Sequence, residues 1–180
     1  GLRTACAVAQ GLAFGAGLPV LPVDSLLAVA EQARFVHAPT QSTCCVTAVL
    51  DARMDEVYAA TYCYAQGRWH NPVPAVLLAP QNVARWSGWL AQQHGPWWLA
   101  GNAFAEYGAR LGSLDPAAAT AARVPALPKA DALLRLAPSL LAEGAAVRAE
   151  QALPLYVRDK VAKTTAERAA DKAHASAGQA

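Results

Sequence analysis

Cys44-Cys45-Val46-Thr47-Ala48-Val49-Leu50, Asp51-Ala52-Arg53-Met54-Asp55-Glu56 and Val57-Tyr58-Ala59-Ala60-Thr61-Tyr62-Cys63-Tyr64 run consecutively through the first half of the chain. The outer two runs are β-branched, aromatic and apolar, and the middle one is short and charged. This pattern predicts a β-hairpin with a tight polar tip. Gln66-Gly67 then turns into a third strand near Arg68 to Val76. Pro72 and Pro74 remove two ladder donors, which places that strand at a sheet edge.

Downstream, Ala79-Pro80-Gln81 opens a helix predicted to run through Gln93, with Trp86, Trp89 and Leu90 on one stripe. Trp97 to Ala100 reads as a buried strand, followed by Gly101-Asn102 and a short helix from Ala103 to Leu111. Pro116 to Val124 is an alanine-rich connector. Leu133, Leu136, Leu140 and Leu141 give Ala130 to Gly144 an amphipathic helical pattern, with Pro138 marking a kink or a first turn. From Asp159 onward no hydrophobic face is visible, and a disordered tail or frayed helix is expected over residues 159–180.

Upstream, Thr4 to Ala16 carries only Thr4 and Gln10 as polar side chains. A helix here is apolar on nearly every face and needs cover on more than one side. A sheet would supply one side, and either the chain's own core or a second surface the other. Ala5, Ala9, Ala13 and Ala16 are small, and Gly11 and Gly15 recur at a spacing that permits close backbone approach. Gly15 or Gly17 can end the helix in the left-handed conformation. Leu18 to Val23 reads as a short extended run whose prolines suit an edge or strand start, with Asp24 or Ser25 capping a helix over Leu26 to Arg34. Phe35 to Ser42 reads as a linker or lobe boundary. Helix, strand, helix, hairpin and alternating strand-helix units together define an α/β class.

Composition narrows the function classes. Apolar residues make up 54% of 180 residues and charged residues 16%, against a usual share of roughly 25% charged, so a partner is expected to cover part of the surface. A formal net charge of +2 is too small for nucleic-acid binding by bulk electrostatics. Gln10, Asp24, Glu31 and Asp51 interrupt every long apolar span, so no membrane span is expected. Cys6, Cys44, Cys45 and Cys63 contain no C-x-x-C, and buried reduced thiols of a reducing, cytoplasmic compartment are expected rather than a disulfide framework.

The chemistry-bearing residues are sparse. His37, His70, His94 and His174 are isolated, with no metal-ligand spacing, so no metal site is expected. Asp51, Asp55 and Glu56 gather at the hairpin tip with Arg53, where a paired acid-base role would need one carboxyl buried and shifted; ion-paired turn residues are the simpler reading. Gly1 could end a phosphate-cradling loop at the first helix's N-terminus. Gly101-Asn102 could approach an adenosine or simply turn the chain.

Gly1-Leu2-Arg3, Ala9-Gln10-Gly11-Leu12-Ala13, Leu18-Pro19-Val20 with Asp24-Ser25-Leu26, Asp51 to Tyr58, and Leu153-Pro154-Leu155-Tyr156-Val157-Arg158 occur in a familiar order. Taken together they resemble the bacterial TsaB (YeaZ) family of the tRNA threonylcarbamoyladenosine machinery. The resemblance covers nearly all of residues 1–158, and Asp51 to Tyr58 is its most specific block. It implies an actin-like ATPase, ribonuclease-H-like fold of two lobes. The expected division is residues 1–36 as the remaining part of an N-terminal lobe. Residues 37–158 form the second lobe, with its closing helix and Pro-x-Tyr-x-Arg segment, and 159–180 the tail. Because the family's loop ends in Thr-Gly-Leu-Arg, Gly1 is expected to lie inside that motif, with the N-terminal lobe truncated.

The resemblance further implies a subunit with no catalytic residues of its own, which dimerises with and activates the catalytic paralogue TsaD. The ATPase TsaE joins them, tRNA is met indirectly through the complex for modification of adenosine 37, and a homodimer is a further state. ATP and metal are expected on the partner subunits and no cofactor on this chain. Ala5, Val8, Ala9, Leu12 and Ala16 form the expected contact stripe. Gly1, Arg3, Asp51 and Arg53 fall at degenerate positions of the family's nucleotide loops, and the bulky Arg53-Met54 tip without glycine argues against direct nucleotide contact. Two alternatives stay open at this point. One is an ATP-dependent kinase-like or glycoprotease-like enzyme of the same superfamily. The other is an RNA-binding tail using Arg158, Lys160, Lys163, Arg168 and Lys172, whose charge Asp159, Glu167 and Asp171 largely offset.

Overall fold

The computed structural model describes residues 1–83, 85, 96–111 and 122–158. The hairpin forms as the sequence predicts. Strand β1 (Thr43–Arg53) pairs antiparallel with β2 (Glu56–Ala65), and β2 pairs antiparallel with β3 (Arg68–Leu78). Strands β4 (Trp97–Gly101) and β5 (Ala122–Pro125) then add in parallel on the other side of β1, giving the order β3-β2-β1-β4-β5. Pro72 and Pro74 lie in β3 at one edge, and the β2–β3 register shifts on either side of Thr61. The tightest point is where β4 crosses β1: Gly101 has φ 149°, and a Cβ there would meet the Val49 carbonyl oxygen at 1.8 Å.

Alternation along β1 builds two cores. Cys44, Val46 and Ala48 face helix α2 (Ser25–His37) and helix α4 (Ala130–Ala142), which cover one side of the sheet. Cys45 and Val49 face the other side with Val57, Trp97 and Leu99, where Val83, Tyr107 and Leu111 close the second core. Thr47 shares this second face, and its hydroxyl meets that of Thr61 at 2.8 Å and accepts from Trp97 Nε1 at 2.9 Å, so no polar side-chain atom of the trio is stranded.

A buried charge fastens the helical layer. Glu31, 3% exposed, accepts from Arg34 Nε at 3.0 Å, Arg135 Nε at 3.1 Å and Trp69 Nε1 at 3.0 Å, joining α2, α4 and β3. Asp24 caps α2 by accepting from the Leu26 amide at 2.9 Å and also accepts from the Tyr62 hydroxyl at 2.5 Å. Burial first, and the Asp24 carboxylate second, push the Tyr62 hydroxyl well above the usual tyrosine range.

Several sequence expectations are corrected. Leu18 to Val23 is not a sheet strand: it makes one antiparallel bridge, Val20 with Val147, because its prolines leave few donors for a longer ladder. Helix α2 continues through His37 into the expected linker, held by the edge contact of His37 on Trp98. The helix expected over Ala103 to Leu111 is regular only as α3 (Phe104–Tyr107). The segment after Ala79 begins as a 3₁₀ turn, Pro80–Asn82, and its stripe of Trp86, Trp89 and Leu90 lies outside the described residues. So do most of the Pro116 to Val124 connector and the whole tail. Pro138 sits inside α4.

The thiol expectation is also corrected. Cys45 and Cys63 are register partners across β1 and β2, with Cα atoms 4.0 Å apart, and are joined by a disulfide. Cys44 faces the opposite core as a free thiol, and burial pushes it up to about 11.

Candidate functional site

Two features stand out, and the extended segment 152–158 connects them. The first is helix α1 (Leu2–Ala16), which ends at Gly17 with φ 65° in the left-handed conformation. Among the described residues its main packing runs along the 3₁₀ turn Ala149–Gln151. At about 100° per residue, Cys6, Ala9, Gln10 and Ala13 share the inward side; Ala13 is buried, the other three are half-buried, and the remaining residues of the helix are exposed. Of the expected contact stripe, Ala5, Val8, Leu12 and Ala16 are exposed, and Ala9 sits half-buried at its margin. Leu12 is 71% exposed and Phe14 82%. A Cβ on Gly11 or Gly15 would meet nothing within 4 Å, so both glycines face open space. Among the described residues, no helix is long and apolar enough to cross a membrane.

The second feature is the β1–β2 tip. Arg53, Met54 and Asp55 all have positive φ, at 63°, 55° and 64°, a run that non-glycine residues rarely adopt. Side chains from distant parts of the chain hold it. Asp51 accepts from the Arg53 amide at 2.8 Å and from the Tyr107 hydroxyl at 3.1 Å, and its own amide donates to Asn102 Oδ1 at 3.0 Å. Gly101-Asn102 therefore turns the chain and braces the hairpin. Arg53 pairs with the other Asp51 oxygen at 3.1 Å while remaining 85% exposed. Arg110 grips Asp55 with two nitrogens, at 2.5 and 2.7 Å. Arg158 donates to the Ala52 carbonyl at 3.0 Å and pairs with Glu56 at 2.7 Å.

Chemically, this is an ion-paired turn. The hydrogen bond and charge of Arg110 hold Asp55 below the usual carboxylate range, which keeps it ionised at neutral pH and unsuited to donating a proton. Among the described residues, no group of three His, Cys, Asp or Glu side chains is placed to hold a metal. Tyr107, Arg110 and the bracing role of Asn102 escape sequence reasoning, because they lie roughly 50 residues from the tip and carry no local signal.

Segment 152–158 brings the two features together. Arg3 Nε donates to the Tyr156 hydroxyl at 2.9 Å, and its guanidinium lies 5.4 Å from the Tyr156 ring centre. Two residues on, Arg158 reaches the hairpin tip. At roughly 3.3–3.6 Å per extended residue, that separates the two anchor points by about 7 Å of chain. Arg158, read in the sequence as a tail cation for RNA, is spent on the hairpin, and Lys160, Lys163, Arg168 and Lys172 lie outside the described residues.

Comparison with known proteins decides the family. Residues 1–166 match the family model described as "TsaD: tRNA N6-adenosine threonylcarbamoyltransferase". The tRNA threonylcarbamoyladenosine biosynthesis protein TsaB of Escherichia coli K12 is 34% identical over 163 residues, covering 90% of this chain and 67% of that protein. The chain belongs to the TsaB (YeaZ) family. TsaB of Haemophilus influenzae is 29% identical over 170 residues, covering 89% of this chain and 66% of its own length. The solved YeaZ structure from Pseudomonas aeruginosa superposes with a TM-score of 0.68 at 36% identity, covering 87% of this chain and 67% of that one. The chain spans about two thirds of the length of these TsaB relatives. Its mixed sheet with helices is accordingly of the actin-like ATPase type, as the sequence motifs imply.

Proposed function

We infer that the chain acts in tRNA threonylcarbamoyladenosine biosynthesis as a non-catalytic subunit that dimerises with the catalytic paralogue TsaD and activates it. The names of its TsaB relatives support the pathway. One observation supports the mode of action. A 15-residue helix, α1, leaves its apolar outer side uncovered, and Leu12 and Phe14 stand in solvent. Exposed apolar surface of this kind marks an interaction site.

In this reading TsaE joins the pair, tRNA is met through the assembled complex, and self-association through the same helix occurs when TsaD is absent. ATP and metal belong to the partner subunits. The hairpin positions Asp51 and Arg53 serve as a braced turn in place of a phosphate-contacting loop.

The test is capture of TsaD by the tagged chain, followed by transfer of threonylcarbamoyl to adenosine 37 by TsaD with and without it. Retention of TsaD together with higher transfer is expected. Failure to retain TsaD, or transfer that does not respond to the chain, would overturn the reading.

A further inference from the structure

A single row of side chains crosses the second face of the sheet. Register pairs Trp97 on β4 with Cys45 on β1, Cys45 with Cys63 on β2, and Cys63 with His70 on β3. Directly paired residues of neighbouring strands point to the same face, so the four side chains stand side by side. The row runs from the interior outward: Trp97 and Cys45 are 3% and 1% exposed, Cys63 is half-buried and His70 is exposed. The Cys45–Cys63 disulfide therefore has a closed end at Cys45 and an accessible end at Cys63.

The bond is not what holds the two strands together. Their pairing extends to either side of it, from Thr43 with Ala65 to Asp51 with Val57, and two residues along the same face the Thr47 and Thr61 hydroxyls meet at 2.8 Å. The tip that the bond encloses has its own clasps, Arg110 on Asp55 and Arg158 on Glu56. On the β3 side the ladder is interrupted: the β2–β3 register shifts between Thr61 and Cys63, close to Pro72, which has no amide to donate. Cys63 thus lies beside a break in the sheet, while Cys45 lies within an unbroken stretch of it.

We propose that Cys45 and Cys63 form a reversible redox site, opened by a dithiol reductant that attacks at Cys63 and closed by a disulfide oxidant. A thiolate of the reductant attacks the Cys63 sulfur, the S–S electron pair leaves on Cys45, which takes up a proton, and a mixed disulfide forms at Cys63. The second thiol of the same reductant attacks the reductant's own sulfur in that mixed disulfide and releases Cys63 as a thiol. Two electrons and two protons pass to the protein, and the reductant leaves as its disulfide. With glutathione disulfide the exchange runs the other way: both protein thiols are oxidised and two glutathione thiols are released. Opening the bond removes a tie across a sequence separation of 18 residues, so the folded state is less stable when reduced. The site lies in the sheet, apart from α1, and does not depend on the docking reading.

The experiment treats the folded chain, without denaturant, first with dithiothreitol and then with glutathione disulfide. Samples are acid-quenched at each stage and alkylated in urea, and the modified cysteines are mapped by peptide mass spectrometry. Circular dichroism follows the fold and urea unfolding the stability. Dithiothreitol should free Cys45 and Cys63 with the far-ultraviolet spectrum kept, and raise the unfolding equilibrium constant roughly a hundredfold. Glutathione disulfide should restore both the bond and the stability. Cys45→Ala, which lacks the second thiol, should hold one glutathione on Cys63, and Cys63→Ala should hold none on Cys45. A bond that opens only in urea, a pair that glutathione disulfide does not close, loss of the far-ultraviolet spectrum on reduction, or glutathione captured at Cys45 would each overturn the proposal. Should Cys45→Ala lose its fold, opening and reclosure of the parent decide alone.

Discussion

Gly101 shows how much a single residue can decide. It sits where β4 lies against β1, with φ 149° and no room for a Cβ beside the Val49 carbonyl. Gly101→Ala must therefore distort the parallel pairing at the sheet's centre. It should cost about 3 kcal/mol or more in urea unfolding, well beyond the usual scale of a surface substitution. Cys44 offers a titration. Its folded-state pKa is raised by burial to about 11, so between about pH 9 and 11 the unfolded chain gives up a proton that the folded chain keeps. Stability falls with rising pH across that window. Cys44→Ala should flatten this part of the stability profile, measured by urea unfolding at successive pH values. In thiol labelling of the native chain, the half-buried Cys6 should react well before Cys44.

At the scale of elements, the β1–β2 tip stores strain and is held against it. Three successive left-handed residues would ordinarily be filled by Asn or Gly. Met54→Asn should therefore stabilise the chain by about 0.5–1 kcal/mol in a chemical melt. The Arg110 clamp gives the tip an acid dependence with a definite sign. Asp55 has its folded pKa lowered by Arg110, so the pair's stabilisation is present above the unfolded carboxylate range and is lost as pH falls through the folded value. Arg110→Met should show a shallower loss of stability than the parent on acidification from pH 5 to 3. Most of this element was legible in the sequence, because the strand periodicity and the charged interval are local. Its bracing was not. Asn102, Tyr107 and Arg110 meet Asp51 and Asp55 only after β4 has joined β1, and no local pattern encodes a contact across 50 residues. The Cys45–Cys63 disulfide was hidden for the same reason, since it depends on a register that pairs Cys45 rather than Cys44 with Cys63.

Across the whole molecule, the two sides of the sheet are closed in different ways, and α1 stands apart from both. α2 and α4 shield one side around the Glu31 network, while Val83, Tyr107 and Leu111 close the other. Helix α1 touches the 3₁₀ turn Ala149–Gln151 and, through Arg3, Tyr156, and its outer side is exposed. The sequence reading located this helix correctly because apolar residues on every face are visible without a structure. It did not foresee which residues turn inward. Ala9 is half-buried at the margin, so a charge there would disturb the chain's own packing, whereas Leu12 points away from it. Full burial of a leucine is worth roughly 1.5–3 kcal/mol, so covering Leu12 contributes a sizeable share of a micromolar interaction of about 8 kcal/mol.

The most direct measurement is the affinity of the parent chain and of Leu12→Glu for TsaD by titration calorimetry, with melting temperatures recorded in parallel. An uncovered α1 that serves as the docking side predicts micromolar or tighter binding for the parent and at least tenfold weaker binding for the variant, at an unchanged melting temperature. Equal affinities for the two would contradict it.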